Sequence, residues 1–357
     1  MNRRKSLPVR AGTVTIGGNS PVSVQAMTKI ATGAVSALLP QARKLQAAGA
    51  ELIRVSILSE DEVASIPALK RAVSVPVVAD IHFRGDLALA AVRAGADKIR
   101  INPGNIPRTQ LRAILAECRS RRVPIRIGVN SGSVRVRGSV ASSMVSCCLD
   151  TLKFFEDGGF RSIVISVKSP SVYDTVAACR QIAERCDYPF HLGITEAGRG
   201  PVAEAKSAAG IGCLLLEGIG DTIRVSLTAP PEDEVAYGRA LLQAVGLRRF
   251  FPEIVSCPTC GRTRVDLFSV LGRVERMVRR IAEHHPEASS LTIAVMGCEV
   301  NGPGEARQAD IGIAGGKGRW ALFVKGKVKA TYPEKEIVQA LENEIVRFLP
   351  GVPLRRH

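Results

Sequence analysis

Eight short runs rich in β-branched residues alternate with helical segments over the first two thirds of this chain. This alternation is typical of parallel β/α units, and eight strands is the number that closes a barrel. A (β/α)8 barrel takes about 250 residues, which fits the length of this region. The sequence therefore predicts an α/β fold with a TIM-type barrel. The predicted strands are Val22–Gln25, Leu52–Val55, Val77–Asp80, Lys98–Ile101, Ile125–Gly128, Ile163–Ser166, Phe190–Gly193 and Thr222–Val225.

A helix is predicted after each strand, and several of these helices are followed by glycine, the residue most common at helix carboxyl ends. The predicted helices are Leu38–Ala48, Glu60–Val73, Asp86–Ala94, Thr109–Ser120, Val140–Glu156, Val172–Cys186, Val202–Glu217 and Glu232–Val245.

The pattern changes after Pro252. A strand leading to Cys257 is followed by a basic amphipathic helix through Ala282, a strand at 291–296, two short strands near Ile311 and Leu322, and a helix over 334–348. This order predicts a small α+β domain. We expect a barrel over residues 1–250 and the second domain over 251–357, since 357 residues exceed the usual size of a single core.

Polar or charged side chains lie at the carboxyl ends of almost every predicted strand, where barrels build their active sites. An unpaired arginine is costly to bury, so recurrent strand-end arginines indicate an anionic ligand such as a diphosphate. The alternative is that each arginine pairs with a barrel carboxylate. His82 and Glu196 are candidates for proton transfer or substrate orientation. The alternative is a structural role, in which His82 is a hydrogen-bonded barrel residue and Glu196 balances the charge of the arginines. The strand-end residues are Arg54, Asp80, His82, Arg100, Asn102, Arg126, Asn130, Lys168, Glu196, Arg224 and Ser226.

The formal net charge of +16 favours an anionic partner: nucleic acid, an acidic protein or a phosphorylated small molecule. Aromatic residues make up only 4% of the chain, too few for the stacking surfaces of single-strand binders, so nucleic acid is not expected. No apolar stretch approaches the roughly 20 residues of a membrane span. The basic amino terminus lacks a signal-peptide core, so we expect a cytoplasmic protein with a frayed N-terminal end.

Three of the nine cysteines have the spacing of metal ligands. Cys257 and Cys260 form a Cys-Pro-Thr-Cys pair, and Cys298 lies on another loop of the same domain. An iron-sulfur cube needs four ligands, and Glu305 is a candidate for the fourth. A zinc site is the alternative, for which only His284 and His285 are nearby. The other six cysteines fall in predicted barrel helices and are expected to be packing residues.

The segment Gly312–Gly318 looks like a phosphate-binding loop but does not match the P-loop pattern. Gly318 stands where that pattern needs Ser or Thr. We interpret it as a turn between strands.

Taken together, these motifs resemble the 4-hydroxy-3-methylbut-2-enyl diphosphate synthases of the non-mevalonate isoprenoid pathway. The resemblance runs in order along nearly the whole chain. It rests on PVSVQAMT (21–28), VADIHF (78–83), DKIRINPGNI (97–106), IRIGVN (125–130), TEAG (195–198), EGIGDTIRVSL (217–227), CPTCG (257–261) and MGCEVNGPGEA (296–306).

The resemblance implies a [4Fe-4S] cluster bound by Cys257, Cys260, Cys298 and Glu305. It also implies that the enzyme opens the ring of 2-C-methyl-D-erythritol 2,4-cyclodiphosphate and expels water, using two electrons delivered singly by flavodoxin or ferredoxin. The residues implied around the substrate are Arg54, His82, Arg100, Asn102, Arg126, Asn130, Lys168, Glu196, Arg224 and Ser226.

The family further implies a head-to-tail homodimer, in which the cluster of one subunit lies over the barrel of the other. Ala26 stands where many members have Ser, Glu299 stands where Val is frequent, and the segment after Gly132 looks shortened. None of these departures removes an expected ligand. Two rival interpretations are a barrel lyase or transferase with a structural zinc, and a basic nucleic-acid binder.

Overall fold

The computed structural model describes residues 3–298, 309–316 and 318–349. The chain divides into two compact units, residues 1–248 and 249–357. None of the described helices is both long and apolar enough to span a bilayer.

The first unit is a parallel barrel. Its sheet runs in the order β8-β7-β6-β5-β4-β3-β10-β9, and a bridge between Ile165 and Phe190 joins the last strand to the first. Each of the eight predicted strands is present, so the predicted fold is confirmed. The strands are β3 Ser23–Met27, β4 Leu52–Ser56, β5 Val77–Ile81, β6 Lys98–Ile101, β7 Ile125–Asn130, β8 Ile163–Lys168, β9 His191–Leu192 and β10 Thr222–Ile223.

Helices cover the outside of the barrel and bury one apolar face each. They match the predicted segments closely, except that the second is broken at Ser65, which caps α2 and precedes Pro67. The helices are α1 Val35–Ala47, α2 Glu60–Ala64, α3 Ile66–Ala72, α4 Gly85–Arg93, α5 Arg108–Arg121, α6 Val140–Asp157, α7 Val172–Ala183, α8 Pro201–Leu216 and α9 Pro231–Ala244.

An antiparallel hairpin precedes the barrel and was not predicted. Its strands β1 Val9–Ala11 and β2 Val14–Ile16 pack Val9, Ala11 and Ile16 against residues of the barrel interior, Leu52, Val78 and Val164. The expected frayed end is also wrong for the described residues, because Arg3 and Ser6 both bond Asp221. The hairpin therefore closes the barrel interior at the amino-terminal end of its strands.

The second unit is a five-stranded mixed sheet in the order β11-β12-β13-β14-β15. The strands are β11 Glu253–Ser256, β12 Thr292–Met296, β13 Ile311–Gly315, β14 Trp320–Val324 and β15 Lys327–Tyr332, and the helices are α10 Leu267–His284 and α11 Glu334–Phe348. Both helices pack on one core with Val295 and Trp320. Residues 312–315 belong to β13, so their interpretation as a turn is wrong.

Candidate functional site

The strand-end cations, Arg54, Arg100, Arg126, Lys168 and Arg224, come from five strands of the barrel. Four of them lie within a strand, and Arg224 follows β10 directly. Their burial is unusual for charged residues: Arg126 is 1% exposed, Arg100 3% and Lys168 6%. So much buried positive charge needs negative partners.

Asp80, at the carboxyl end of β5, supplies part of that negative charge. Its carboxylate accepts hydrogen bonds from Arg54 Nη2 at 2.5 Å and Arg100 Nη1 at 3.3 Å, and His82 Nε2 lies 3.1 Å away. Burial alone would raise the pKa of Asp80, but Arg54, His82 and Arg100 together hold the pKa well below its usual range. Asp80 is therefore ionised, and it orients two arginines and a histidine.

Arg100 also reaches His82, with 2.9 Å between Arg100 Nη1 and His82 Nε2. The same imidazole nitrogen lies near the Asp80 carboxylate and can either donate to it or accept from Arg100, so Arg100, His82 and Asp80 form one contact network in which Arg100 also bonds Asp80 directly. Together with Arg54 of β4, this network places two guanidinium groups beside the Asp80 carboxylate at the carboxyl ends of β4 and β6.

Arg126 and Lys168 have no carboxylate partner among the described residues. Burial is the main reason that the pKa of Lys168 lies well below its usual value, and the neighbouring Arg126 and Arg224 lower it further. The predicted pairing of arginines with barrel acids thus holds for Arg54 and Arg100, and Arg224 faces Glu234 of α9, which leaves Arg126 and Lys168 in excess. An excess of buried positive charge is the kind of environment that suits an anionic ligand.

Two glycines make room for the strand-end cations. A Cβ atom on Gly128 would lie 2.3 Å from Arg100 Nε, and one on Gly193 would lie 2.6 Å from Lys168 Nζ. Both glycines are in the IRIGVN and HLGITEAG segments, but sequence reasoning did not identify them as site residues. Because these glycines have no side chain, the Arg100 guanidinium can lie against Gly128 and the Lys168 ammonium group against Gly193.

A second carboxylate, Glu234 in the first turn of α9, holds the end of β10. Its oxygens face Arg224 Nη2 at 3.5 Å and Lys29 Nζ at 3.1 Å, and accept the Leu227 backbone N–H at 2.9 Å. Glu234 is 3% exposed. It was missed because it lies in a helix rather than at a strand end.

The remaining predicted residues are less tightly held. Asn102 is buried and its side chain accepts the Gly104 backbone N–H at 3.2 Å, while Asn130 and Ser226 are half-buried at the ends of β7 and β10. Glu196 is exposed, with φ of 55°, in the left-handed region. No ion pair among the described residues involves it, so the suggestion that it balances the arginines finds no support.

In the second unit, two of the cysteines follow the carboxyl ends of adjacent parallel strands. Ser256 of β11 pairs with Val295 of β12, so Cys257 and Cys298 follow neighbouring strand ends. The Gly297 N–H donates to Cys257 Sγ at 3.3 Å. Hydrogen bonds from Arg262 lower the pKa of the exposed Cys260 thiol, favouring the thiolate form that binds metals.

The donor set fits an iron-sulfur site in its chemistry. Thiols and an N–H···S hydrogen bond, such as that to Cys257, are characteristic of such sites. Glu305, the predicted fourth ligand, lies outside the described residues. Within them, no group of three or more His, Cys, Asp and Glu side chains is gathered closely enough to hold a metal ion. His284 contacts the Arg280 carbonyl and His285 contacts Glu287, so the described contacts of these two histidines do not include the cysteines.

The six other cysteines lie around the barrel helices. Cys118, Cys148 and Cys179 are buried. Burial raises the pKa of Cys118 and of Cys179 to about 12. Cys186 lies beyond the end of α7 rather than in the helix. The expectation of buried packing residues holds for Cys118, Cys148 and Cys179, whereas the other three are only half-buried and Cys213 contacts Arg180 and Glu217 through hydrogen bonds.

Comparison with known families identifies two matching domains. Residues 6–239 match the model described as the GcpE TIM-barrel domain, and residues 253–347 match the GcpE protein C-terminal domain. Together they cover most of the chain.

Curated relatives share the full two-domain length. The relative from Salinispora arenicola is 46% identical, covering 97% of this chain and 90% of its own. Those from Ruminiclostridium cellulolyticum and Bacillus subtilis are each 43% identical, covering 97% and 96% of this chain and 98% and 92% of their own. All three are named 4-hydroxy-3-methylbut-2-en-1-yl diphosphate synthase (flavodoxin).

Among solved structures, dihydropteroate synthase from Xanthomonas albilineans aligns with a TM-score of 0.51 and 18% identity, covering 67% of this chain and 98% of that one. At this identity the likeness concerns the barrel fold alone.

Proposed function

This chain belongs to the GcpE family, and on that premise we propose how its own residues carry out the family's reductive synthesis of 4-hydroxy-3-methylbut-2-en-1-yl diphosphate. It is an oxidoreductase of isoprenoid biosynthesis. The single observation that carries the mechanism is the excess of strand-end cations over carboxylates inside the barrel.

The substrate we assign is 2-C-methyl-D-erythritol 2,4-cyclodiphosphate, bound in the barrel of residues 1–250. Its phosphate oxygens supply the negative charge that Arg126 and Lys168 lack, while Asp80 holds Arg54 and Arg100 in place for further contacts. As the ring opens, negative charge grows on the departing diphosphate oxygen, and these fixed cations stabilise it. Arg224 and Ser226 complete the anion site from the end of β10.

The carbon skeleton is oriented by polar groups at neighbouring strand ends. Asn102, Asn130 and His82 lie after or at the ends of β6, β7 and β5, where they can hydrogen-bond hydroxyl groups of the substrate. Glu196 is solvent-exposed and unpaired with any described cation, so it is free to donate a proton to the leaving hydroxyl or to orient the skeleton.

In the second domain, for which we propose residues 251–357, the residues that would hold a [4Fe-4S] cluster are Cys257, Cys260, Cys298 and Glu305. When bound, this group supplies electrons one at a time and a Lewis-acidic iron for a substrate oxygen. A carboxylate is a harder and more exchangeable ligand than a thiolate, so Glu305 is the ligand suited to yield its position. Cys257 receives an N–H bond from Gly297 that stabilises its thiolate charge.

The partners follow from the family. Flavodoxin, named for the relatives, or ferredoxin delivers the electrons in the cytoplasm. The chain acts as a head-to-tail homodimer in which the second unit of one subunit serves the barrel of the other.

The test begins with protein purified without oxygen. We expect a brown chain with about four irons and four sulfides, which converts the cyclodiphosphate when reduced flavodoxin is supplied. Cys298→Ala should lose both the cluster and turnover, and Glu305→Ala should keep some cluster but lose most activity. Cys147→Ala, in a barrel helix, is the matched control and should behave as wild type.

A colourless chain that holds stoichiometric zinc after anaerobic reconstitution would contradict the proposal. So would wild-type activity in either the Cys298 or the Glu305 variant.

A further inference from the structure

Below the strand-end cations, the barrel interior contains a second set of basic groups with no assigned role. Lys98, the first residue of β6, and His191, the first of β9, are at most 1% exposed. Residues two apart on a strand share a face, so Lys98 lies on the same inner face as Arg100. Lys98 Nζ and both His191 ring nitrogens have no hydrogen-bond partner among the described residues.

No acid offsets this charge. Lys98 is acted on by the positive charges of Arg126 and Arg54, and His191 by those of Lys168 and Arg126. The charged and titratable groups around Lys98 and His191 come from seven strands, with Lys98 and Arg100 both on β6. They are Arg54, Asp80, Lys98, Arg100, Arg126, Lys168, His191 and Arg224. Among these, Asp80 alone is acidic, and both of its oxygens are already bonded.

The amino-terminal side is closed. Leu52, Val78 and Val164 pack there against the β1–β2 hairpin. Lys98 is therefore enclosed by apolar side chains below and by cations above.

This environment favours a neutral amine. Burial is the first cause that lowers the pKa of Lys98 well below its ordinary value, and Arg126 and Arg54 lower the pKa further. The pKa of His191 is lowered in the same way, chiefly by burial and then by Lys168. A buried lysine without a partner lowers the stability of the ligand-free protein. An interaction of Lys98 with a bound ligand would explain why a lysine stands at this position.

We propose that Lys98 Nζ takes up one proton from solvent when the substrate diphosphate binds, becoming an additional cation beneath it. The inference rests on the proposed function. The bound diphosphate offsets the excess of positive charge around Lys98 and adds negative charge nearby. Negative charge stabilises the protonated form of the amine relative to its neutral form. Lys98 rather than His191 takes the proton because an amine's ordinary pKa is roughly four units above that of imidazole. One N–H bond forms on the amine, and the bond to that hydrogen breaks in the hydronium ion or buffer acid that donates the proton; nothing is oxidised or reduced.

Calorimetry on the anaerobically purified full chain, without reductant, tests this. The probe is 2-C-methyl-D-erythritol 2,4-cyclodiphosphate, titrated at pH 8 in two buffers of different ionisation enthalpy, where an ordinary histidine contributes little. Wild type should take up close to one proton per substrate bound. Its affinity should fall as pH rises, approaching tenfold per pH unit for one linked proton.

Lys98→Met should abolish the proton uptake, flatten the pH dependence and weaken binding by about tenfold or more, as expected for one charged hydrogen bond. The Tm of the free variant should rise, because a buried unpaired amine is replaced by an apolar side chain of similar length. A merely structural lysine would not change proton uptake. Lys153→Met, the same substitution at an exposed position of α6, should leave all four measurements at wild-type values.

Proton uptake and affinity that are equal in Lys98→Met and wild type would overturn the inference, as would wild-type binding with no uptake. Should the methionine variant not fold, Lys98→Gln keeps hydrogen-bonding capacity without the charge and is expected to give the same loss of uptake. Failure of wild type to bind the cyclodiphosphate would instead overturn the proposed function, and the inference with it.

Discussion

At the residue scale, one carboxylate positions three members of the candidate site. Asp80 is 1% exposed and contacts Arg54, Arg100 and His82. The position of charged residues at strand ends was predictable from the alternating pattern. Which cations pair with Asp80 was not predictable, because pairing depends on side-chain direction across the barrel.

Asp80→Asn should uncouple these partners. The side chain keeps its shape but loses its charge, leaving buried cations without an ion-pair partner, at a cost of about 3–5 kcal/mol in the free energy of unfolding. Misplaced arginines should lower kcat/KM on the order of 100-fold. Denaturant unfolding and steady-state kinetics measure the two effects, with the exposed Asp86→Asn as control. Unchanged kinetics would show that Asp80 does not position the arginines.

The pH dependence of stability checks the same carboxylate. Because its pKa is depressed in the folded state, Asp80 stabilises the fold above its unfolded pKa of roughly 3.9, and that stabilisation is lost as pH falls through the folded pKa. We therefore expect wild type to lose stability in acid more steeply than Asp80→Asn. If the free energy of unfolding falls with decreasing pH at the same rate in both proteins, Asp80 is not ionised in the folded state.

Gly128→Ala tests the close approach of Arg100. The added Cβ would lie 2.3 Å from Arg100 Nε, and Arg100 is buried, so the guanidinium must shift away from Asp80. KM should rise and kcat fall while the chain still folds. Gly132→Ala is the matched control, since its Cβ would meet nothing within 4 Å. Equal kinetics for the two alanine variants would show that Arg100 needs no such space.

At the element scale, sequence periodicity predicted the barrel strands and helices well and missed three strands outside the barrel sheet, β1, β2 and β15. β1 and β2 have three residues each, too few to show an alternation. β15, KVKATY, is largely exposed at the sheet edge and carries the lysines typical of protected edges, so it lacks an apolar pattern. The hairpin matters most, because it closes the interior beneath Lys98.

Helix α9 contributes to the site through its first turn. Glu234→Gln removes the negative charge that faces Arg224 and Lys29 while keeping the side-chain shape. We expect KM to rise roughly tenfold, the loss of one charge-assisted hydrogen bond, with a smaller effect on kcat. Asp233→Asn, an exposed carboxylate in the same turn, should leave KM unchanged. If the KM of Glu234→Gln equals that of wild type, Glu234 of α9 does not contribute to substrate binding.

At the scale of the whole molecule, the two units contain different parts of the proposed chemistry. The residues proposed to bind the anion lie in residues 1–248, and the described cysteines proposed as cluster ligands lie in 249–357. Each unit has its own apolar core, so a substitution in one site need not disturb the other. The sequence indicated this division through its change of pattern after Pro252. It did not supply the subunit arrangement, which in a symmetric assembly depends on surfaces rather than periodicity.

Complementation between two inactive variants tests the proposed head-to-tail homodimer. Arg100→Ala disables the barrel, and Cys298→Ala disables the second unit, so each alone should be inactive. When the two chains are co-expressed, random pairing makes half of the dimers mixed, and each mixed dimer contains one site built from an intact barrel and the partner's intact second unit. Activity should therefore recover to about a quarter of wild type. If each site instead used both units of one chain, neither variant could repair the other, and the co-expressed pair would stay inactive. Co-expression of Arg100→Ala with Asp80→Asn is the control: both changes lie in the barrel, so mixed dimers should show no more than the residual activity of the Asp80 variant.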